Sequence, residues 1–84
     1  EQAVKLEPNN PKALYNRGEV RSDMGDLQNA YADLTQAIRL QANYPEAFNT
    51  RGVVQAGRGD LKSAIADLSQ AIKLRPNYAD AFYN

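Results

Sequence analysis

The stretch GDLQNAYADLTQAIRL, Gly25 to Leu40, returns thirty-four residues later as GDLKSAIADLSQAIKL, Gly59 to Leu74. The likeness spreads outward from it. Laid over Pro45–Tyr78 without a gap, Pro11–Tyr44 matches at 18 of 34 positions. A fixed period of about 20 to 50 residues marks stacked supersecondary units, each burying its apolar face on a neighbour. Leu27, Ala30, Tyr31, Leu34, Ala37, Ile38 and Leu40 recur at helical spacing, as do Leu61, Ala64, Ile65, Leu68, Ala71, Ile72 and Leu74. Each set predicts an amphipathic helix. The Gly25-Asp26 and Gly59-Asp60 pairs ahead of them predict turns, with glycine in a left-handed helix end and aspartate as the following N-cap.

A first helix precedes each of these second helices. One is predicted from Lys12 to about Met24, capped by Asn9 or Asn10, with Pro11 in the first turn where its missing N–H costs nothing. Its apolar stripe, Ala13, Leu14, Val20 and Met24, is incomplete. The other is predicted from Pro45 to Gly57, where Asn43 and Glu46 have the spacing of a capping box. Gly18 and Gly52 stand mid-helix, at a cost of up to about 1 kcal/mol against alanine. Their placement suggests that another backbone comes close.

The ends read as broken units. Residues 1–10 resemble the tail of a second helix, stopped by Pro8, and Pro76 plays the same part after Leu74. Asn77 with Asp80 repeats the capping-box spacing, and Ala81-Phe82 repeats Ala47-Phe48. The expected division is a tail at 1–10, full repeats at 11–44 and 45–78, and the start of another at 79–84, cut from a longer array.

Composition narrows the function. The chain has 84 residues, ten basic and ten acidic, with no cysteine, histidine or tryptophan. Interleaved, balanced charge argues against a nucleic-acid partner, since phosphate backbones call for clustered Lys and Arg. No signal-like segment is present, and no apolar run approaches the roughly 20 residues that span a bilayer. Membrane insertion is therefore not expected, and a cytoplasmic location is. Without histidine or cysteine, the usual base near neutral pH and the strongest nucleophile are absent. No enzyme activity, metal or cofactor is expected. Asp23 with Asp26, or Asp33 with Asp67, could form carboxylate pairs, but caps and solvated helix faces explain them more simply.

The joint pattern resembles the tetratricopeptide repeat. It rests on a large apolar residue early in each first helix (Leu14, Phe48, Phe82) and on glycine mid-helix (Gly18, Gly52). Alanine with a bulky residue four on follows (Ala30 and Leu34, Ala64 and Leu68), then a second alanine (Ala37, Ala71) and a closing proline (Pro8, Pro76). The resemblance implies an all-α fold, a right-handed α-solenoid of stacked antiparallel helix pairs forming a superhelix. It also implies a protein–protein interaction module, with a structural spacer or a docking segment of a larger enzyme as alternatives. Three positions depart from the pattern. Arg17 and Arg51 replace leucine, Arg21 and Gln55 stand where an aromatic is common, and Ala42 replaces a closing proline. The last suggests a longer second helix in the first unit.

In the family, first helices line a concave face that binds peptides. Carried over, that face offers Lys12, Tyr15, Asn16, Glu19 and Asp23, then Glu46, Asn49, Thr50, Val53 and Gly57, extended by Asp80, Tyr83 and Asn84. Some members grip a C-terminal carboxylate with Lys, Arg and Asn. Here Tyr15, Glu19, Asn49 and Val53 take the corresponding places, and Glu19 would repel such a ligand. An asparagine ladder fits Asn16 and Asn84 but is broken by Thr50. Tyr44 and Tyr78 are expected to pack between units and Tyr31 in the core. Two further expectations follow. Arg17 and Arg51 should meet Asp33 and Asp67, all recurring one period apart. The chain should self-associate as a homo-oligomer through uncapped repeat ends, burying Ile65, Ile72 and Phe82.

Overall fold

The computed structural model describes residues 10–75. Four helices follow one another: α1 (Pro11–Asp23), α2 (Leu27–Leu40), α3 (Pro45–Gly57) and α4 (Leu61–Leu74). The helices α1 and α2 pack as one pair, α3 and α4 as a second, and α2 against α3 joins them. No strand occurs among the described residues.

Helix starts follow short-range chemistry only in part. Asn10 caps α1, its side chain accepting from Ala13 N–H at 3.1 Å, and Asp60 caps α4 through Ser63 N–H at 3.2 Å. The expected cap at Asp26 does not form, because its carboxylate instead accepts from the Asn29 side chain at 2.9 Å. Nor does the Asn43–Glu46 capping box. Tyr44 is the N-cap of α3 and makes no side-chain cap bond.

Both tight turns close alike. Gly25 and Gly59 have φ of +85° and +87°, a region where only glycine is unstrained. Asp26 N–H reaches back to Arg21 C=O at 2.8 Å and Asp60 N–H to Gln55 C=O at 2.9 Å, the six-to-one bond of a Schellman ending. The helix α2 ends at Leu40, the same length as α4, so Ala42 does not prolong it.

The core lies between paired helices. Leu14, Ala30, Leu34, Ala37, Ala47, Val54, Ala64 and Ala71 are buried. The stripe expected on α1 is wrong at one end: Leu14 is buried, whereas Val20 and Met24 are exposed. The packed side of α1 is set by Gly18. A Cβ there would stand 2.9 Å from Leu34 Cγ. At Gly52 it would meet Leu68 Cγ at 2.9 Å and the Ala64 carbonyl oxygen at 3.1 Å. Close approach holds at both glycines, but its cause is chiefly a leucine from the partner helix. A backbone atom adds to it only at Gly52.

Candidate functional site: the face of the first helices and the clamps behind it

Two arginine–aspartate clamps orient the first helices. Arg17 donates from Nε and Nη2 to Asp33 at 2.9 and 2.8 Å, and Arg51 makes the same fork to Asp67 at 2.7 and 2.9 Å. Two parallel N–H···O bonds fix angle as well as distance. The expected pairing therefore forms in both units, each joining a first helix to its second. Asp33 and Asp67 are buried, which corrects their reading as solvated positions.

The residues that replace the usual aromatic complete the clamps. Arg21 Nη1 donates to Asp33 at 3.0 Å, and one period on Gln55 Nε2 donates to Asp67 at 2.6 Å. Arg51 also crosses to the neighbouring pair, donating to Thr35 Oγ1 at 3.2 Å. Its guanidinium lies 5.7 Å from the Tyr31 ring centre and 5.5 Å from that of Phe48. The hydrogen-bonded Asp67 carboxylate holds the Arg51 pKa above its ordinary value, against the opposing effect of burial.

With one side of each first helix committed to the clamps, the other side can be located. Lys12, Asn16, Glu19 and Asp23 are exposed on α1, and Val53 on α3. Tyr15, Glu46 and Thr50 are half-buried. Asn49 is only 7% exposed, so little more than an edge of its amide meets solvent. Tyr83 and Asn84, with Asp80, lie outside the described residues, as do Tyr78 and Phe82.

The structure brings part of this set together. The Tyr15 hydroxyl donates to Glu19 Oε2 at 3.0 Å. The Tyr15 ring rests against Tyr44 with centres 5.3 Å apart and planes tilted by 41°. The Tyr44 phenol is pushed above its ordinary pKa by burial first, then by the negative charges of Glu46 and Glu19. Both carboxylates thus act on one tyrosine at the junction of the two helix pairs. Glu46 itself pairs with Arg75, just past α4, at 3.1 Å.

Sequence reasoning does not single out two members of this cluster, Tyr44 and Arg75, as site residues. Tyr44, expected to pack between units, meets Tyr15 of its own 11–44 repeat and also borders the candidate face. Its signal was the Asn-Tyr pair that recurs at each unit boundary, 43–44 and 77–78. Nothing local announced Arg75.

Among the described residues, no group of three His, Cys, Asp or Glu side chains could hold a metal ion, and no helix is long and apolar enough to cross a membrane. The chemistry on offer is recognition: tyrosine rings with polar tips, a carboxamide and carboxylates on a surface framed by rigid helices.

Comparison with known proteins agrees with this architecture. The chain superposes on a crystal structure of YrrB, described as a TPR protein with an unusual peptide-binding site, with a TM-score of 0.93 at 24% identity. It superposes on the first TPR of Spaghetti (RPAP3), bound to the HSP90 peptide SRMEEVD, with a TM-score of 0.94 at 24% identity. Each superposition covers 98% of this chain but only 42% and 65% of the respective partner chain. No curated protein sequence gives a significant match. Profiles described as "Tetratricopeptide repeat" and "TPR repeat" match residues 1–32 and 56–84, together more than two thirds of the chain. With the 34-residue period and the paired-helix fold, they establish that the chain belongs to the tetratricopeptide-repeat family.

Proposed function

We propose that the chain is a non-catalytic protein-interaction module that holds an extended segment of a partner protein along the open face of α1 and α3. The observation that carries this reading is the division of labour on α1. Arg17 and Arg21 turn inward to Asp33, while Lys12, Asn16 and Glu19 stand exposed beside the half-buried Tyr15. The peptide-binding descriptions of the two structural neighbours support it. We read the chain as repeats 11–44 and 45–78, flanked by parts of two others.

The ligand's chemistry follows from the charges. An extended peptide loses water from its N–H and C=O groups and needs partners for both, which the Asn16 amide supplies. Glu19 and Asp23 outweigh Lys12 on this face, while Arg75 neutralises Glu46. A neutral or mildly basic segment fits better than an acidic one of the kind held by the Spaghetti repeat. Two repeats offer a short surface, so the dissociation constant is expected at about 1 μM or weaker, about −8 kcal/mol at best.

The test is selection of random peptides on the chain, followed by titration of the selected peptides against Tyr15→Ala, Asn16→Ala and, on α4, Lys62→Ala. Weakened binding in the first two variants alone supports the assignment. Loss in Lys62→Ala with the other two unchanged would move the site to the opposite side.

A further inference from the structure

The Tyr15–Tyr44 contact lies where the two helix pairs meet, and both pairs furnish its surroundings. Tyr15 is carried by α1, Tyr44 is the N-cap of α3, and both are half-buried. The ring centres are 5.3 Å apart and the planes tilted by 41°, so the rings form a shallow wedge rather than a flat stack. Each helix adds a carboxylate. Glu19, one turn on from Tyr15, accepts from the Tyr15 hydroxyl on Oε2 at 3.0 Å, which leaves Oε1 to accept from a further donor. Glu46, in the first turn of α3, accepts from the guanidinium of Arg75 at 3.1 Å. Burial and the charges of Glu46 and Glu19 together hold the Tyr44 phenol above its ordinary pKa, so negative potential from two helices converges on one ring.

We propose that this wedge is a subsite for one arginine side chain of the bound segment, a role that rests on the reading of α1 and α3 as the binding face. The guanidinium lies on the tyrosine rings, and its N–H groups donate to Glu19 and Glu46. A cation within about 6 Å of a tyrosine ring centre is drawn to the negative face of the ring. The chain already uses that contact elsewhere. Arg58 lies 4.9 Å from the Tyr31 ring centre, and Arg51 lies 5.7 Å from the same ring and 5.5 Å from that of Phe48.

The chain's own arginine shows what Glu46 accepts. Arg75 occupies that carboxylate with a side chain 53% exposed, and an ion pair so open to water is weakly held. A ligand guanidinium can therefore take its place. Formal charge alone does not make the choice, because Lys12, one turn before Tyr15, and Arg75 offset Glu19 and Glu46. The rings decide it. They favour a cation that sheds water easily, and guanidinium is more weakly hydrated than ammonium. Its planar fork also reaches two carboxylates at once, where a lysine offers a single point of charge. An acidic side chain is repelled by both carboxylates and by the ring faces.

The test uses short peptides, acetylated and amidated, of sequence Gly-Ser-Ala-X-Ala-Ser-Gly, with arginine, lysine, glutamine or glutamate at X. Each is titrated into the chain while backbone amide and tyrosine ring resonances are followed by NMR. The arginine peptide should shift the Tyr15 and Tyr44 rings and bind about tenfold tighter than the glutamine peptide, with lysine between them and glutamate weakest. Glu19→Gln removes the charge but keeps an acceptor for the Tyr15 hydroxyl. It should weaken the arginine peptide by about threefold and leave the glutamine peptide unchanged. Arg75→Ala, which releases Glu46, should strengthen the arginine peptide by about twofold to threefold. Equal affinity for arginine and glutamine, or arginine binding that leaves both rings unshifted, would overturn the subsite. Lysine ahead of arginine would overturn the choice of guanidinium. The failure of the wider reading looks different. Shifts at Asn16 and Val53 without an arginine preference overturn the subsite and leave the open face standing, whereas no shift on α1 or α3 with any peptide overturns both.

Discussion

Replacing Asp67 with alanine probes the clamp that holds α3 to α4. The Asp67 carboxylate accepts from Arg51 Nε and Nη2 and from Gln55 Nε2, all within 2.9 Å. The Arg51 side chain is 17% exposed, so its cation keeps limited access to water. Gln55 is buried, and its Oε1 has no hydrogen-bond partner. Removing the carboxylate strands a mostly buried cation and takes the acceptor from the Gln55 amide. Breaking a fully buried ion pair costs about 3–5 kcal/mol, whereas an exposed pair contributes about 0.2–1. The residual solvation of Arg51 takes about 1 kcal/mol off the first figure, and the stranded amide returns about 1–3. The expected loss is about 3–7 kcal/mol, comparable with the whole stability of a chain this size, roughly 4–13. Asp67→Asn keeps one acceptor oxygen and should lose only about 1–3 kcal/mol, so it reports even if the alanine variant does not fold. The double change Arg51→Met with Asp67→Leu, which leaves no stranded charge, should cost less than Asp67→Ala alone. The assay is urea unfolding followed by helical circular dichroism, with midpoint and slope both recorded. If Asp67→Ala and Asp67→Asn both cost less than about 1 kcal/mol, the range of a solvated pair, the clamp does not hold the helices together and the argument fails.

The glycines and the tyrosine junction give further expectations. Gly52→Ala should destabilise by about 1–2 kcal/mol, an overpacking cost of about 1–3 offset by up to about 1 of helix propensity. Gly18→Ala should cost less, because no backbone oxygen blocks its Cβ; equal costs in thermal unfolding would contradict the distances at Gly52. In alkaline titration followed by tyrosinate absorbance, one tyrosine should ionise late and disappear in Tyr44→Phe. Glu46→Gln should bring it earlier by more than Glu19→Gln does, following the order of their effects. Because the folded chain holds that proton more tightly than the unfolded chain does, Tyr44 stabilises less as pH rises above the ordinary phenol range of about 10.

Some of this protein was legible in residue order alone. The 34-residue period, the helix pairs, the glycine-led turns and both arginine–aspartate clamps follow from spacing, because each depends on contacts within one unit and every unit is written twice. Other features were decided only by what the chain packs against. Asp26 was free to cap α2, but Asn29 one turn on offered a charged-acceptor bond instead. The Asn43–Glu46 pair has capping-box spacing, yet Tyr44 against Tyr15 and Glu46 against Arg75 settle those residues in tertiary contacts. The packed side of α1 was misread by counting apolar residues, since a glycine and two inward arginines define it and leave Val20 and Met24 outside. Asn49 is buried and Tyr15, one period earlier, is half-exposed, because the two occupy the same repeat position against different neighbours. Sequence period dictates which contacts recur within each unit. The environment of each copy depends on the units beside it, and that is decided only when the pairs stack.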